Sequence, residues 1–518
     1  MDGMRDTGAS QDGDPWDPFG RPIFDDPAAR GLHRVGVVDV GSNSVRLVVF
    51  DGAARSPAYF YNEKVMCGLG AGMDGSRRLN PEGRDRALAA LRRFALLAEG
   101  MQIEPLTAVA TAAVREAEDG PDFCAQVAEE TGLKLHVIDG TDEARLAAQG
   151  VLLGWPRGEG LVSDIGGSSM ELARIEGGRV RDRASSRLGP LAVMDAAGGR
   201  KGRQKVIDAA LDRLAGTVEP HSRLYLVGGS WRAIAKLDMA RRDWPLTVLQ
   251  DYRTTPASLR ETLRWMADAD SEAVRREAGV SSARMTLAPY AGEVLSRLIR
   301  RFGVREVVIS GYGIREGLLY EKMPHRLRAR DPLIEAARHA EMMSARLPGF
   351  GRTLYHFVAP LFEGTRTDPR LIRAACLLHD VSWRSHPDYR AELCFETATR
   401  GNLGGIDHPG RVFLGLALLH RYRNARPGTR FDALVDLLSP EARAAAEVLG
   451  RAMRFGAMFS IAVPERMGTL ALRRRPRRLL ELRLPRHSAP LYGEVAAARF
   501  AALAKALDAE TSVQLDDG

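Results

Sequence analysis

The chain has 518 residues, 45% hydrophobic and 27% charged, enough apolar content for several cores and an expected three to four globular units. Lys and Arg outnumber Asp and Glu by 74 to 66, a formal charge of +8 that suits a polyanionic ligand without naming one, and suits a solvated basic surface equally well. The four cysteines show no CxxC spacing, which argues against a disulfide framework or zinc ribbon and makes a reducing cytoplasm the expected compartment. No apolar run reaches the length a bilayer requires, so no membrane partner is expected.

Residues 1–32 are rich in Asp, Gly and Pro, lack a basic start and an apolar core, and read as a disordered extension rather than a signal peptide. A β-hairpin follows at Val35 to Phe50 (VGVVDVGSNSVRLVVF), and Gly160 to Ile175 (GLVSDIGGSSMELARI) repeats its plan. In each, a short branched apolar run delivers an Asp, Asp39 or Asp164, to a Gly- and Ser-rich turn, and a second apolar run leaves. The turns Gly41-Ser42-Asn43-Ser44 and Gly166-Gly167-Ser168-Ser169 offer backbone N–H groups and small hydroxyls, which can cradle phosphate oxygens. Two such turns facing each other, each with an Asp at its base, would hold a phosphate chain and a divalent cation.

The first half continues with a strand near Ser56 to Val65, a Gly-rich loop at 68–72 and a long helix from Pro81 to Glu99. A strand at 107–110, a helix at 121–131, a strand at 134–138 and a helix opening at Thr141 complete it. The second half runs the same course, with strands at 179–187, 223–227 and 306–310 among helices. Strands alternating with helices after an antiparallel start predict two mixed α/β lobes, 33–153 and 154–324, with a ligand cleft between them. After the linker at 323–332 the pattern turns helical to residue 467. Residues 468–518 read as a small α/β region with a strand at Leu479–Pro485 and a helix over 493–508.

Six ordered segments carry a resemblance: the first hairpin, ATAAVREAEDGPDF (110–123), DGTDEARLA (139–147), DIGGSSMEL (164–172), LVGGS (226–230) and SGYGIREGLLYE (310–321). Together they resemble the exopolyphosphatase and guanosine pentaphosphate phosphatase family, whose lobes have the actin-like, sugar-kinase-like fold. The resemblance covers residues 34 to 322. It implies Mg²⁺-dependent hydrolysis of terminal phosphates, processively from inorganic polyphosphate or singly from guanosine pentaphosphate. It also implies a homodimer.

On this resemblance Glu143 is the base that activates water, Glu171 helps bind the water or the metal, and Asp39 and Asp164 hold Mg²⁺ through its coordinated waters. Arg115 clamps the terminal phosphate, and Gly228-Gly229-Ser230 form a third phosphate turn. Read without it, Glu143 beside Thr141 serves a helix cap, Glu171 is a strand residue facing solvent, and Arg115 pairs with Glu116 on the surface.

Two departures stand out. Ser168 replaces a glycine of the second turn, and Trp231 follows the third turn, where it either closes a nucleoside pocket or packs. The first of these alternatives favours polyphosphate over the nucleotide.

In the helical part, His379-Asp380, with His386, His420 and His339, resembles the metal site of HD phosphohydrolases, and the family's long members carry such a domain. A basic path for a long chain would run over Arg326, Arg328 and Arg330 or the run from Arg473 to Arg478, the latter reading equally as a solvated edge. Aromatic residues make up 6% of the chain and none interleaves that run, which argues against nucleic acid. A non-hydrolytic polyphosphate or nucleotide sensor and a kinase of the same superfold are the competing classes.

Overall fold

The computed structural model describes residues 19, 34–52, 55, 57–104, 106–268, 271–423, 429–460, 467–474 and 476–516. The extension expected over 1–32 lies outside these apart from Phe19, which is buried, packs edge-on against Tyr355 at 5.2 Å and accepts a hydrogen bond from Arg338.

Two sheets of matching plan form the first 310 residues. Strands β1 (Val35–Val40), β2 (Ser44–Phe50), β3 (Tyr59–Met66), β4 (Leu106–Ala110) and β5 (Leu135–Val137) stand in the order β3-β2-β1-β4-β5. In the second sheet β6 (Gly160–Ile165), β7 (Met170–Glu176), β8 (Arg179–Ser186), β9 (Arg223–Val227), β10 (Arg253–Thr254) and β11 (Glu306–Ile309) stand in the order β10-β11-β9-β6-β7-β8. In both, an antiparallel three-strand meander meets parallel neighbours, β1 beside β4 and β6 beside β9. The second sheet adds β10 at its edge, a two-residue strand too short to show as a period in the sequence.

Helices of eight residues or more are numbered from α1 (Pro81–Gly100) and α2 (Gly120–Thr131). They continue with α3 (Gly140–Gly154), α4 (Gly199–Ala215), α5 (Gly229–Arg241), α6 (Pro256–Asp268), α7 (Ser282–Arg301) and α8 (Ile314–Lys322). Helix α3 lies between the sheets, buried along most of its length, and shares one apolar core with β1, β2, β6, β7, β9 and α8. Its packing on α8 is backbone to backbone: a Cβ at Gly317 would lie 2.0 Å from Leu146 O, and one at Gly150 would lie 2.3 Å from Gly313 O. Any side chain at either position would push the lobes apart.

Beyond residue 330 come α9 (Pro332–Ser344), α10 (Phe350–Val358), α11 (Pro369–Leu378), α12 (Pro387–Arg400), α13 (His408–Tyr422) and α14 (Pro440–Ser460). A three-stranded sheet follows, β12 (Thr469–Arg473), β13 (Leu479–Pro485) and β14 (Glu510–Asp516), with α15 (Glu494–Leu507) packed on it. Its inward residues Leu470, Leu480, Leu482 and Leu484, with Phe500 and Leu503 of α15, join the same core as Leu354, Phe395, Leu414 and Phe455 of the helices. The helical region and the small sheet thus share one core. Among the described residues no helix is long and apolar enough to cross a membrane, and all four cysteines are free.

Candidate active site

Both hairpin turns, 41–44 and 166–169, are tied down by the loop that follows the meander. Asn43 O accepts from the backbone N–H groups of Cys67 and Gly68, at 3.0 and 3.1 Å, and Ser42 O accepts from Gly70 at 2.8 Å. In the second lobe Ser168 O accepts from Gly189 at 3.0 Å and Gly167 O from Leu191 at 2.9 Å. The carbonyls of Ser42, Asn43, Gly167 and Ser168 are therefore spent on scaffold. Gly41 and Gly166 close the turns by matching bonds to Ser44 O and Ser169 O, each 3.0 Å.

The third turn lies against Asp164. Gly228 has φ 104, and a Cβ there would approach Asp164 Oδ1 to 2.8 Å and Ile165 O to 2.6 Å, so only glycine fits. Gly229 and Ser230 open α5, whose N-terminus has no side-chain cap and leaves its N–H groups to the cleft. A Cβ on Gly229 would sit 2.9 Å from the Arg284 guanidinium, which hangs over this turn.

Asp39 and Asp164 end β1 and β6, half-open to the cleft but walled in by both lobes. Burial raises the carboxyl of Asp39, with Arg315 and Arg46 opposing, and raises that of Asp164 to about 6, with Arg232 opposing and Asp39 adding repulsion. Glu143, in the first turn of α3, is 5% exposed and pushed up to about 7 by burial, against the hydrogen bond from Arg115. Glu171 on β7 is buried more deeply and pushed well up by burial and then by Glu143. The hydroxyls of Ser169 and Ser185 hold it, Ser185 at 2.9 Å. Four carboxyl groups of the two lobes thus face one another, and each makes the next harder to ionise.

Arg115 has a partner that neither of its sequence readings named. Its Nη1 donates to Glu143 Oε1 at 2.6 Å and to Ile138 O at 2.7 Å, while Glu116 is 3.8 Å away. Ser169 spends its side chain on Glu171. Trp231 is wholly buried in the core of the second lobe, among residues such as Ile234 and Leu295, and lines no nucleoside pocket. The argument for polyphosphate drawn from it therefore falls.

The sequence reading missed the cations. Arg46 on β2, Lys64 on β3, Arg232 on α5, Arg284 on α7 and Arg315 on α8 gather around these carboxyls. Arg46 and Arg232 are each lowered by burial first and by Arg315 next, and Lys64 by burial and then Arg284. Like charges crowded until they disfavour one another form a basin for an anion. Two of the five stood inside the quoted motifs, Arg46 in the first hairpin and Arg315 in SGYGIREG, and Arg232 lies two residues past the third turn. Lys64 and Arg284 carried no sequence signal, because only folding brings them to the cleft.

Among the described residues no group of three His, Cys, Asp or Glu converges to ligate a metal directly. Asp39 and Asp164, both raised chiefly by burial, have the oxygen donors that suit a hydrated divalent ion held through its waters.

The helical constellation does not assemble. His379 is buried with Nδ1 bonded to Cys376 O, Asp380 is held bidentately by Arg346 at 2.6 and 2.7 Å, and His339 and His386 are exposed on other faces. His420 is buried on α13. A guanidinium sits on Asp380, the acidic member of the pair that resembles an HD metal site.

The proposed basic paths are also committed. Arg328 donates to Glu321 O and Met323 O, Arg330 pairs with Glu335, Arg473 with Glu481 and Arg477 with Glu510, and Arg474 and Arg478 donate to backbone carbonyls.

A family model described as the Ppx/GppA phosphatase family matches residues 48–326, and one described as exopolyphosphatase, C-terminal, matches residues 333–513. The chain is similar to Exopolyphosphatase 1 of Mycobacterium tuberculosis (strain ATCC 25618 / H37Rv), 37% identical over 143 residues covering 27% of this chain and 42% of that one. The chain thus spans less than half the length of that relative. It is 24% identical over 366 residues to the guanosine-5′-triphosphate,3′-diphosphate pyrophosphatase of Photobacterium profundum, covering 66% of this chain and 71% of that protein. The crystal structure of the Aquifex aeolicus Ppx/GppA family member shares the fold with a TM-score of 0.50 at 23% identity, over 56% of this chain and 97% of that one. With sheets of matching plan, duplicated glycine turns and a model match over more than half its length, the chain belongs to the Ppx/GppA phosphatase family.

Proposed function

We propose that this protein is an exopolyphosphatase that removes the terminal phosphate of inorganic polyphosphate, with Glu143 as the base. The observation that carries the reading is the pairing of a half-ionised buried carboxyl, raised to about 7, with a basin of five cations between two phosphate turns.

The turn N–H groups of residues 42–44, 167–169 and 228–230 hold the phosphoryl oxygens, with Gly41 and Gly166 closing the turns, and Arg46, Lys64, Arg232, Arg284 and Arg315 take the charge of the following phosphates. Glu143 accepts the proton of a water as its oxygen bonds to the terminal phosphorus. The bridging P–O bond breaks, and orthophosphate and the shortened chain leave as anions. Glu171, held by Ser169 and Ser185, orients that water. Asp39 and Asp164, with Glu171 at the edge of the same carboxyl group, would hold Mg²⁺, which when bound neutralises phosphoryl oxygens the turns do not reach.

The runner-up is hydrolysis of the 5′-terminal phosphate of guanosine pentaphosphate. It is favoured by the longer match to the Photobacterium pyrophosphatase and by Trp231 leaving the cleft free for a nucleoside. A homodimer, a cytoplasmic site of action and descent of the helical region from HD phosphohydrolases, without a metal site of its own, complete the proposal.

The test is phosphate release with Mg²⁺ from long-chain polyphosphate and guanosine pentaphosphate in parallel. Glu143→Gln is expected to lower kcat by about 10²–10⁴-fold on the true substrate with the melting temperature retained. Faster release from the nucleotide selects the runner-up. Release from neither makes the protein a binder or sensor, and an active Glu143→Gln enzyme removes Glu143 as the base.

A further inference from the structure

A groove of about 1030 Å³ crosses the second lobe and shares no residue with the carboxyl cluster or its five cations. Helix α7 packs against α4 on one side and α6 on the other, and the groove runs along α7 between them. Its bottom is shallow, because Gly292 and Ser296 of α7 carry little side chain. At Gly292 helices α6 and α7 meet, and a Cβ there would lie 2.5 Å from Leu263 Cδ2. Leu259, Leu263 and Met266 of α6, with Leu295 and Ile299 of α7, give the α6 side an apolar lining, and Val304 closes its end.

The charge of this groove is one-sided. On the α4 side the cations are spent: Glu293 accepts from Arg203 at 3.0 and 3.3 Å and lies 3.8 Å from Arg200, and Arg297 pairs with Asp208. On the other side Arg260 and Arg264, one turn apart on α6, line the groove with Arg300 of α7 and Arg305 just beyond it. All four are exposed, and among the described residues none of their guanidinium groups makes a hydrogen bond or an ion pair. Four unanswered positive charges therefore stand beside an apolar lining.

We infer that the groove is a docking site for an acidic, amphipathic helix of another protein. A third helix laid along α7 sets apolar residues at i, i+3 or i+4 and i+7 against Leu259, Leu263 and Ile299, and a flank of Asp or Glu against Arg260, Arg264, Arg300 and Arg305. Helix α6 spans 13 residues, about 20 Å, so the occupant keeps about three to four turns in contact. Charge and apolarity select this occupant together. Inorganic polyphosphate has no apolar surface to set on leucines, and desolvating its phosphates against them costs without return. A second copy of this chain, itself of formal charge +8, would bring the same unpaired arginines to a two-fold contact. The inference does not depend on the reaction proposed above. The groove lies at the far end of α7 from Arg284, about 24 Å along the helix from that residue to Arg300.

The experiment uses the full chain and a fluorescein-labelled helical peptide of about 16 residues, with leucines along one face and glutamates on the flank, read by anisotropy in about 0.15 M salt. The probe is expected to bind with a micromolar Kd. A peptide of the same composition, with its leucines scattered around the helix, is expected to bind at least about tenfold more weakly. Arg260→Glu with Arg264→Glu, and separately Arg300→Glu with Arg305→Glu, are each expected to weaken the probe by about tenfold or more with the melting curve retained. Arg213→Glu with Arg276→Glu changes two exposed cations outside the groove and is expected to leave binding within about twofold, which controls for net charge.

A second readout locates the probe. With a benzophenone in place of one leucine, cross-links are expected on α6 or α7. No binding, equal binding of the two peptides, an unmoved Kd in the folded groove variants, or cross-links elsewhere overturns the inference. Labelled polyphosphate that displaces the probe and is itself lost from the same groove variants overturns it as well, and makes the groove a track for a phosphate chain.

Discussion

Glu143 is where burial and hydrogen bonding pull in opposite directions, and the balance near 7 has a direct consequence for activity. The base must be ionised to take a proton, so kcat/KM is expected to climb from pH 6 and level off above pH 8, its acid limb centred near 7. A limb near the ordinary carboxylate range, read from a pH–rate profile in constant ionic strength, would mean that Glu143 is better solvated than its burial implies. The same shift costs stability: a carboxyl that binds its proton more tightly folded than unfolded favours the fold at low pH, and loses that contribution as the pH rises towards its folded value.

Trp231 teaches a different lesson at the same scale. From its place after the third turn it read as a pocket wall or as packing, and it is packing, with its Nε1 unpartnered in an apolar core. Trp231→Ala is expected to lower stability by about 3–5 kcal/mol in denaturant titration. Trp231→Phe should leave the ratio of polyphosphate to nucleotide turnover unchanged.

At the scale of elements, the site depends on where α3 begins. Asp139 caps it, and the helix then passes so close to β8 that a Cβ at Gly140 would lie 2.4 Å from Ser185 Oγ. Ser185 in turn holds Glu171, so this one contact sets Glu143 and Glu171 beside each other. Gly140→Ala is expected to cut kcat on the order of 10²-fold through misplacement of both carboxyls, while the melting temperature falls by only a few degrees. Equal losses of activity and stability would show that the contact serves the fold alone. The paired hairpins, α3 and the long helix α1 were legible as periods and caps. Strands β10 and β14 were not, since the two residues of β10 carry no period and β14 is mostly exposed. The helical His379-Asp380 pair was legible as a motif but misleading as chemistry, because nothing in the local sequence says that Arg346, 34 residues away, will occupy Asp380.

Across the whole molecule the deciding quantity is charge brought together from distant segments. Lys64 and Arg284 are 220 residues apart in sequence and feel each other in the cleft. Changing both to Ala is expected to raise KM for polyphosphate on the order of tenfold with kcat little altered, and to flatten the dependence of KM on salt. If KM and its salt dependence stay as in wild type, the chain does not run over these residues. The arginines of 326–330 and 473–478, proposed from sequence as a basic path, are largely taken up by carboxylates and carbonyls. A run of like residues measures composition, and only folding decides which of them retains charge to offer.

The sequence by itself determined the duplicated α/β plan, the three glycine turns, the positions of Asp39, Asp164, Glu143 and Glu171 beside them, and through these the family. Each of these is written in local spacing: an apolar run, an Asp, a glycine turn, a capped helix start. Tertiary structure alone decided that Arg115 serves Glu143, that Trp231 is core, that Arg346 occupies Asp380 of the helical pair, and that five scattered cations form one basin. Those outcomes depend on burial and on partners far away in the chain, and neither distance nor solvent exposure is encoded in a residue's neighbours.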